Sequence, residues 1–151
     1  MLRRRWSLVV LVVWTAYVWT TRIVNAWSAS DESTVAKVVS TVCAVALLGL
    51  AVGVARLLVV ARARSFSAGE VRLVTVLAGA TVAVWALRIP QILLDDRGAA
   101  FKAVHVVLGL VSIALAALGW RAATRELAGG AVEADGSAGS AAVSPAANVG
   151  R

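Results

Sequence analysis

The sequence predicts an all-α membrane protein: a transmembrane four-helix bundle in up-down-up-down order, built as two tandem helical hairpins and followed by a disordered C-terminal tail. Three observations carry this expectation. The 151 residues are 60% hydrophobic with a mean hydropathy of +0.85. Their apolar residues run continuously, whereas a soluble core spaces them at a period of 3.6 or 2. Four of these runs reach the ~20 residues needed to cross ~30 Å of hydrocarbon. A transmembrane barrel does not fit, because its ~10-residue strands alternate polar and apolar side chains.

The first run, about 6–26, follows the basic triplet Arg3, Arg4 and Arg5. Ala26-Trp27-Ser28 loosely resembles a signal-peptidase site, but the run is longer than a signal h-region and carries Arg22 and Asn25. An uncleaved anchor is expected. The second run, about 34–61, is long enough to tilt or overhang. The third, about 73–94, holds Pro90 near its end, where a kink or unwinding of the last turn is expected. The fourth covers about 99–122. Short connections make consecutive helices antiparallel neighbours. The membrane domain is placed at 1–126. Residues 127–151 are rich in Gly, Ala and Ser, lack any aromatic residue, and are expected to be a disordered tail.

Lys and Arg counts set the orientation. One side collects Arg3, Arg4, Arg5, Arg56, Arg62, Arg64, Arg72, Arg121 and Arg125. The other holds Arg22, Lys37, Arg88, Arg97 and Lys102. This bias places both termini in the cytoplasm of a bacterial plasma membrane. The formal net charge of +7 therefore reads as topogenic charge and anionic-lipid contact, with no nucleic acid as partner.

The halves repeat. Val18-Trp19-Thr20-Thr21-Arg22-Ile23-Val24-Asn25 is answered by Val84-Trp85-Ala86-Leu87-Arg88-Ile89-Pro90-Gln91. Asp31 and Glu32 are matched by Asp95 and Asp96, and Lys37 by Lys102. The Val-Trp-x-x-Arg-Ile segment, with Phe101-Lys102-Ala103-Val104-His105, resembles small four-span integral membrane proteins of actinobacteria. That resemblance covers about 1–126 and implies a four-helix membrane protein without an assigned activity.

The repeat defines one candidate cluster, on the outer side: Trp19, Arg22, Asp31, Glu32, Lys37, Trp85, Arg88, Asp95, Asp96, Lys102 and His105. Trp19 and Arg22 lie three apart and share a helix face, as do Trp85 and Arg88. Each arginine lies about one turn inside the boundary. Two readings stay open: the guanidinium snorkels to lipid phosphate, or it faces inward, stacks on its tryptophan and pairs with a loop carboxylate as a structural clamp. Gly49, Gly53, Gly109, Ser112 and Ala116 form candidate packing seams, within the bundle or between protomers, because small residues let helix backbones approach.

The motifs of known chemistry are missing. His105 is the only histidine and Cys43 the only cysteine, which is too few for a metal or haem site. There is no Ser-His-Asp set, HExxH or Walker A loop, and no carboxylate mid-span for proton exchange. The sequence therefore points to a structural or accessory membrane protein without catalytic residues or cofactor, in contact with the lipid bilayer and open to a homo-oligomer or a membrane-protein partner. The alternative is a transporter or channel for a small anionic or lipid-like solute that uses the outer Arg/Lys cluster.

Overall fold

The computed structural model describes residues 2–28, 33–62 and 64–142, with the side chains of 5–28, 33–62 and 64–132. Four helices account for most of it: α1 (Leu2–Ser28), α2 (Thr34–Val60), α3 (Ala68–Leu94) and α4 (Ala99–Ala142). There is no strand among the described residues. All four helices are long and apolar enough to cross a membrane. Their interiors are dominated by Ala, Leu and Val, whose modest propensity differences matter less in lipid than the need to satisfy every backbone group internally.

Serines start two of the helices. The Ser33 hydroxyl accepts from the Ala36 N–H at 3.3 Å and caps α2. Ser67 and Glu70 form a reciprocal capping box at the start of α3: the Glu70 N–H reaches Ser67 Oγ at 3.4 Å, and the Ser67 N–H reaches Glu70 Oε2 at 2.7 Å.

The helices pack as a closed square. α3 packs on α4 and α1 on α2 most extensively; α1 on α4 and α2 on α3 close the ring, and the backbones of the diagonal pairs do not approach each other among the described residues. The two hairpins are thus the strongest units. The amino end of the bundle gathers the start of α1, the α2–α3 link and the later part of α4. The distal end holds the end of α1, the start of α2 and the α3–α4 loop. Leu8, Leu11, Val54, Val74 and Leu77 fill the centre. Outward faces carry Val13, Val42, Val52, Leu87, Val107 and Leu110, all exposed. Such a surface suits hydrocarbon, not water.

Small residues set the closest approaches. A Cβ at Gly109 would lie 2.6 Å from Trp85 Cε3 and 2.9 Å from Ile89 Cδ1, so α4 accepts the α3 indole only because the side chain is missing. A Cβ at Gly119 would lie 2.8 Å from Leu11 Cδ2, on the α1–α4 seam. Gly53 faces Leu73 between α2 and α3, and Ala116 is fully buried. Gly49 takes no part in a seam within the bundle: it is exposed, and a Cβ there meets nothing within 4 Å. The i to i+4 spacing of Gly49 and Gly53 spreads them by about 40° around the helix, enough to put only one in the seam.

Three boundaries differ from the sequence reading. α3 begins at Ala68, about five residues before the expected 73, because the capping box can start a turn that hydropathy does not mark. It also stays helical through Pro90 to Leu94, so the last turn does not unwind. Proline removes one N–H donor, and the helix ends only four residues later, where the Asp95 N–H still bonds Gln91 O at 3.1 Å. Finally, α4 continues as helix to Ala142, through part of the expected disordered tail. No proline interrupts the alanine-rich stretch before Pro145, so helix propagation can continue despite its glycines. A Cβ at Gly130 would lie 2.9 Å from Ser65 Cβ, so this extension still touches the α2–α3 link. Residues 143–151 of the expected tail lie outside the described residues, as do Asp31 and Glu32.

The packing makes a directional prediction. Gly109→Ala should lower the detergent melting temperature by the equivalent of about 1–3 kcal/mol, the cost of forcing a methyl against a packed ring. Gly49→Ala should leave it unchanged or raise it slightly. Equal effects at the two positions would contradict the assigned seams.

Candidate functional site: charged clusters at the two ends of the bundle

The amino end holds a cluster that the sequence reading did not single out. Arg5 of α1 donates from Nε to Glu126 Oε1 at 2.9 Å and from Nη2 to Glu126 Oε2 at 2.9 Å. This is the bidentate fork that makes arginine–carboxylate pairs strong. Its Nη1 donates to the carbonyl of Ala61, and Nη2 also donates to the carbonyl of Arg64 at 2.7 Å. The guanidinium carbon lies 4.3 Å from the centroid of the buried Phe66 ring. The Arg5 and Glu126 side chains are 12% and 8% exposed, so the pair is largely desolvated. One side chain therefore joins α1, α4 and the link between the hairpins.

The link carries its own pair. Arg64 donates from Nη1 to Glu70 Oε2 at 2.7 Å while Glu70 completes the capping box. The carboxylate beside it raises the pKa of the exposed Arg64 guanidinium further above its ordinary value, so the cation is permanent. Two sequence signals point to this end. Glu126 is the first carboxylate after the fourth apolar run, on a strongly basic side, and Ser67-x-x-Glu70 is a capping-box pattern.

The predicted cluster is divided between the two hairpins at the distal end. In the first, Trp19 is buried, and Arg22 Nε donates to the Oγ of the buried Ser40 on α2 at 3.1 Å. That bond turns Arg22 into the α1–α2 seam. Trp27 Nε1 donates to Thr41 Oγ1 at 3.0 Å across the same seam. Lys37 lies on the first turn of α2 and is half-buried.

In the second hairpin, Trp85 is buried against Gly109 and its Nε1 finds no acceptor among the described residues. An unmet buried donor costs about 1–3 kcal/mol. Arg88 is half-buried on the next turn. Asp95 meets Arg97 at 3.3 Å, Arg97 lies 5.0 Å over the Phe101 ring, and Asp96 is exposed in the loop. Lys102 Nζ donates to the carbonyl of Leu93 at 2.9 Å, closing the end of α3 where the helix dipole favours a cation. His105 Nδ1 lies 2.8 Å from the carbonyl of Phe101, and the two rings are 3.9 Å apart. No group of three potential metal ligands occurs among the described residues.

One predicted packing residue has a second role. Ser112 accepts from Trp14 Nε1 at 2.9 Å across the α1–α4 seam and donates to the carbonyl of Leu108 at 2.7 Å. Comparison with family models, curated proteins and solved structures returned no match. The geometry alone therefore bears on function. What it offers is a set of paired polar groups that join helices at both ends, with a middle that is apolar apart from the Trp14–Ser112 bond and the buried Thr15 and Thr81.

The Arg22–Ser40 contact is open to test. Arg22→Ala and Ser40→Ala should each destabilise the bundle, and the double variant should lose less than the two losses combined, by about 1 kcal/mol or more, since hydrogen bonds to charged groups contribute about 1.5–3 kcal/mol. Additive losses in detergent melts would return Arg22 to the lipid-facing role.

Proposed function

We propose that this chain is a multi-pass protein of the bacterial plasma membrane, with both termini cytoplasmic, that acts as a structural or accessory component without catalytic activity. The observation that carries this reading is the use already made of the buried polar groups. Among the described residues these are Ser40, Thr81, Ser112 and Glu126, four of the five that are buried, the fifth being Thr15. Thr81 and Ser112 return their hydroxyl hydrogens to carbonyls of their own helices, at 2.8 and 2.7 Å. Ser40 and Glu126 accept from arginines at opposite ends. The centre between them is filled by Leu, Val and Ala. A solute path needs a succession of polar groups that are not already satisfied, and among the described residues Trp85 Nε1 is the one buried side-chain polar atom without a partner. The transporter reading therefore draws no support from the interior.

Two further features suit the proposal. Exposed arginines crowd the amino end, as a cytoplasmic face requires. Trp19 and Trp85 are buried to nearly the same degree at matching depths, and the hairpin interfaces are the most extensive, as a duplicated hairpin would give.

Alkaline phosphatase fusions at Ser30 and Ser67 test the orientation. The reading expects activity at Ser30 and none at Ser67, and the reverse pattern would overturn it. Proteoliposomes loaded with an anion-sensitive dye test the rest. Protein-containing vesicles should leak small anions no faster than empty ones. A saturable flux abolished by Arg22→Ala or Arg88→Ala would favour a transporter.

A further inference from the structure

We propose that Arg121 and Arg125, flanked by Trp120, form a binding site for the headgroup of an anionic phospholipid on the outward face of α4, a proposal that rests on the membrane-spanning reading of the chain. The packed face of α4 is defined by Gly109, Ser112, Ala116, Gly119, Ala123 and Glu126, all buried. Arg121 and Arg125 are exposed on the other side, and their four-residue spacing puts them one above the other. Towards the distal end, the outward surface of α4 continues as Val107, Leu110, Val111 and Leu118, all exposed and apolar. Arg121 is the first cation reached at the end of that stripe. Trp120, 44% exposed, lies at the same level, where an indole favours the headgroup boundary.

Among the described residues the two arginines have no counter-charge. Their guanidinium groups make no ion pair or hydrogen bond among the described residues. The carboxylate nearest in sequence, Glu126, is buried on the opposite face and held by Arg5. Like charges at this spacing repel on a bare helix by a few tenths of a kcal/mol. A phosphodiester between them would remove that repulsion, provided that its charge is not already balanced by a headgroup cation, as choline balances it in phosphatidylcholine. It offers two non-bridging oxygens in the geometry that guanidinium forks bind. The apolar stripe beyond would carry the acyl chains, which a free phosphate does not have.

The first hairpin supplies an internal control. Arg56 of α2 is also exposed and one turn inside the amino end, among the exposed Val52, Val59 and Val60. One turn further on, α2 has Val60 where α4 has Arg125. Arg56 therefore has one fork where α4 has two.

The test is thermal melting and native mass spectrometry of the full chain in mild detergent, with added phosphatidylglycerol, phosphatidylcholine or glycerol phosphate. Reconstitution of wild type into phosphatidylcholine nanodiscs checks the membrane reading separately. Phosphatidylglycerol should raise the wild-type melting temperature and remain bound in the gas phase; phosphatidylcholine and glycerol phosphate should do neither. Arg121→Gln with Arg125→Gln should lose most of that shift yet melt like wild type in phosphatidylcholine. The paired lysine substitutions should retain part of it, and Arg56→Gln nearly all. Where the double variant does not yield folded protein, Arg125→Gln alone should bind at least threefold less phosphatidylglycerol. A glutamine variant that responds to phosphatidylglycerol like wild type would overturn the proposal. An equal wild-type response to glycerol phosphate would replace the lipid with a soluble phosphate ester.

Discussion

The Arg5–Glu126 pair is the constraint on which the closed bundle depends. Four apolar helices in lipid gain little by leaving hydrocarbon for each other, because lipid tails are as apolar as leucine. Hairpins form readily, since short loops force neighbours together. Joining two hairpins into a square needs contacts specific to the α1–α4 and α2–α3 seams, which are the less extensive ones. Arg5 supplies both. It binds Glu126 across the first, and the carbonyls of Ala61 and Arg64 on the link between α2 and α3. Phe66 covers the guanidinium from the link itself. A desolvated pair of this kind is tolerable only when its remaining donors are satisfied, and the two carbonyls and the ring do that here.

Beyond this clasp, the bundle relies on fit. Gly109 admits Trp85 and Gly119 admits Leu11, so the second hairpin and the α1–α4 seam both depend on missing side chains. The Trp14–Ser112 bond adds polar register to the same seam. At the distal end, Arg22 with Ser40 and Lys102 with Leu93 O each close one hairpin locally. The two ends thus divide the labour: distal contacts act within hairpins, and the amino-end contacts act between them.

Continuous apolar runs made the helices and their order legible, because length and hydropathy are the properties a bilayer selects. Trp19 and Trp85 were legible as a pair, and both are buried. Other features were not visible for physical reasons. Hydropathy does not register a capping box, so α3 begins earlier than expected. Glycine spacing does not tell which residue faces a partner, so Gly53 packs and Gly49 does not. Arg5 read as one of three topogenic arginines, and only the third dimension brings it to Glu126, 121 positions away.

The most direct measurement is a double-mutant cycle on that pair. Arg5→Ala, Glu126→Ala and the double variant would be melted in mild detergent alongside wild type. Removing one partner of a buried ion pair strands the other and costs about 3–5 kcal/mol. The account predicts that each single variant melts well below wild type, that the double variant is no worse than the poorer single, and that the coupling exceeds about 2 kcal/mol. Additive losses, or single variants that melt like wild type, would show that the bundle closes without the clasp.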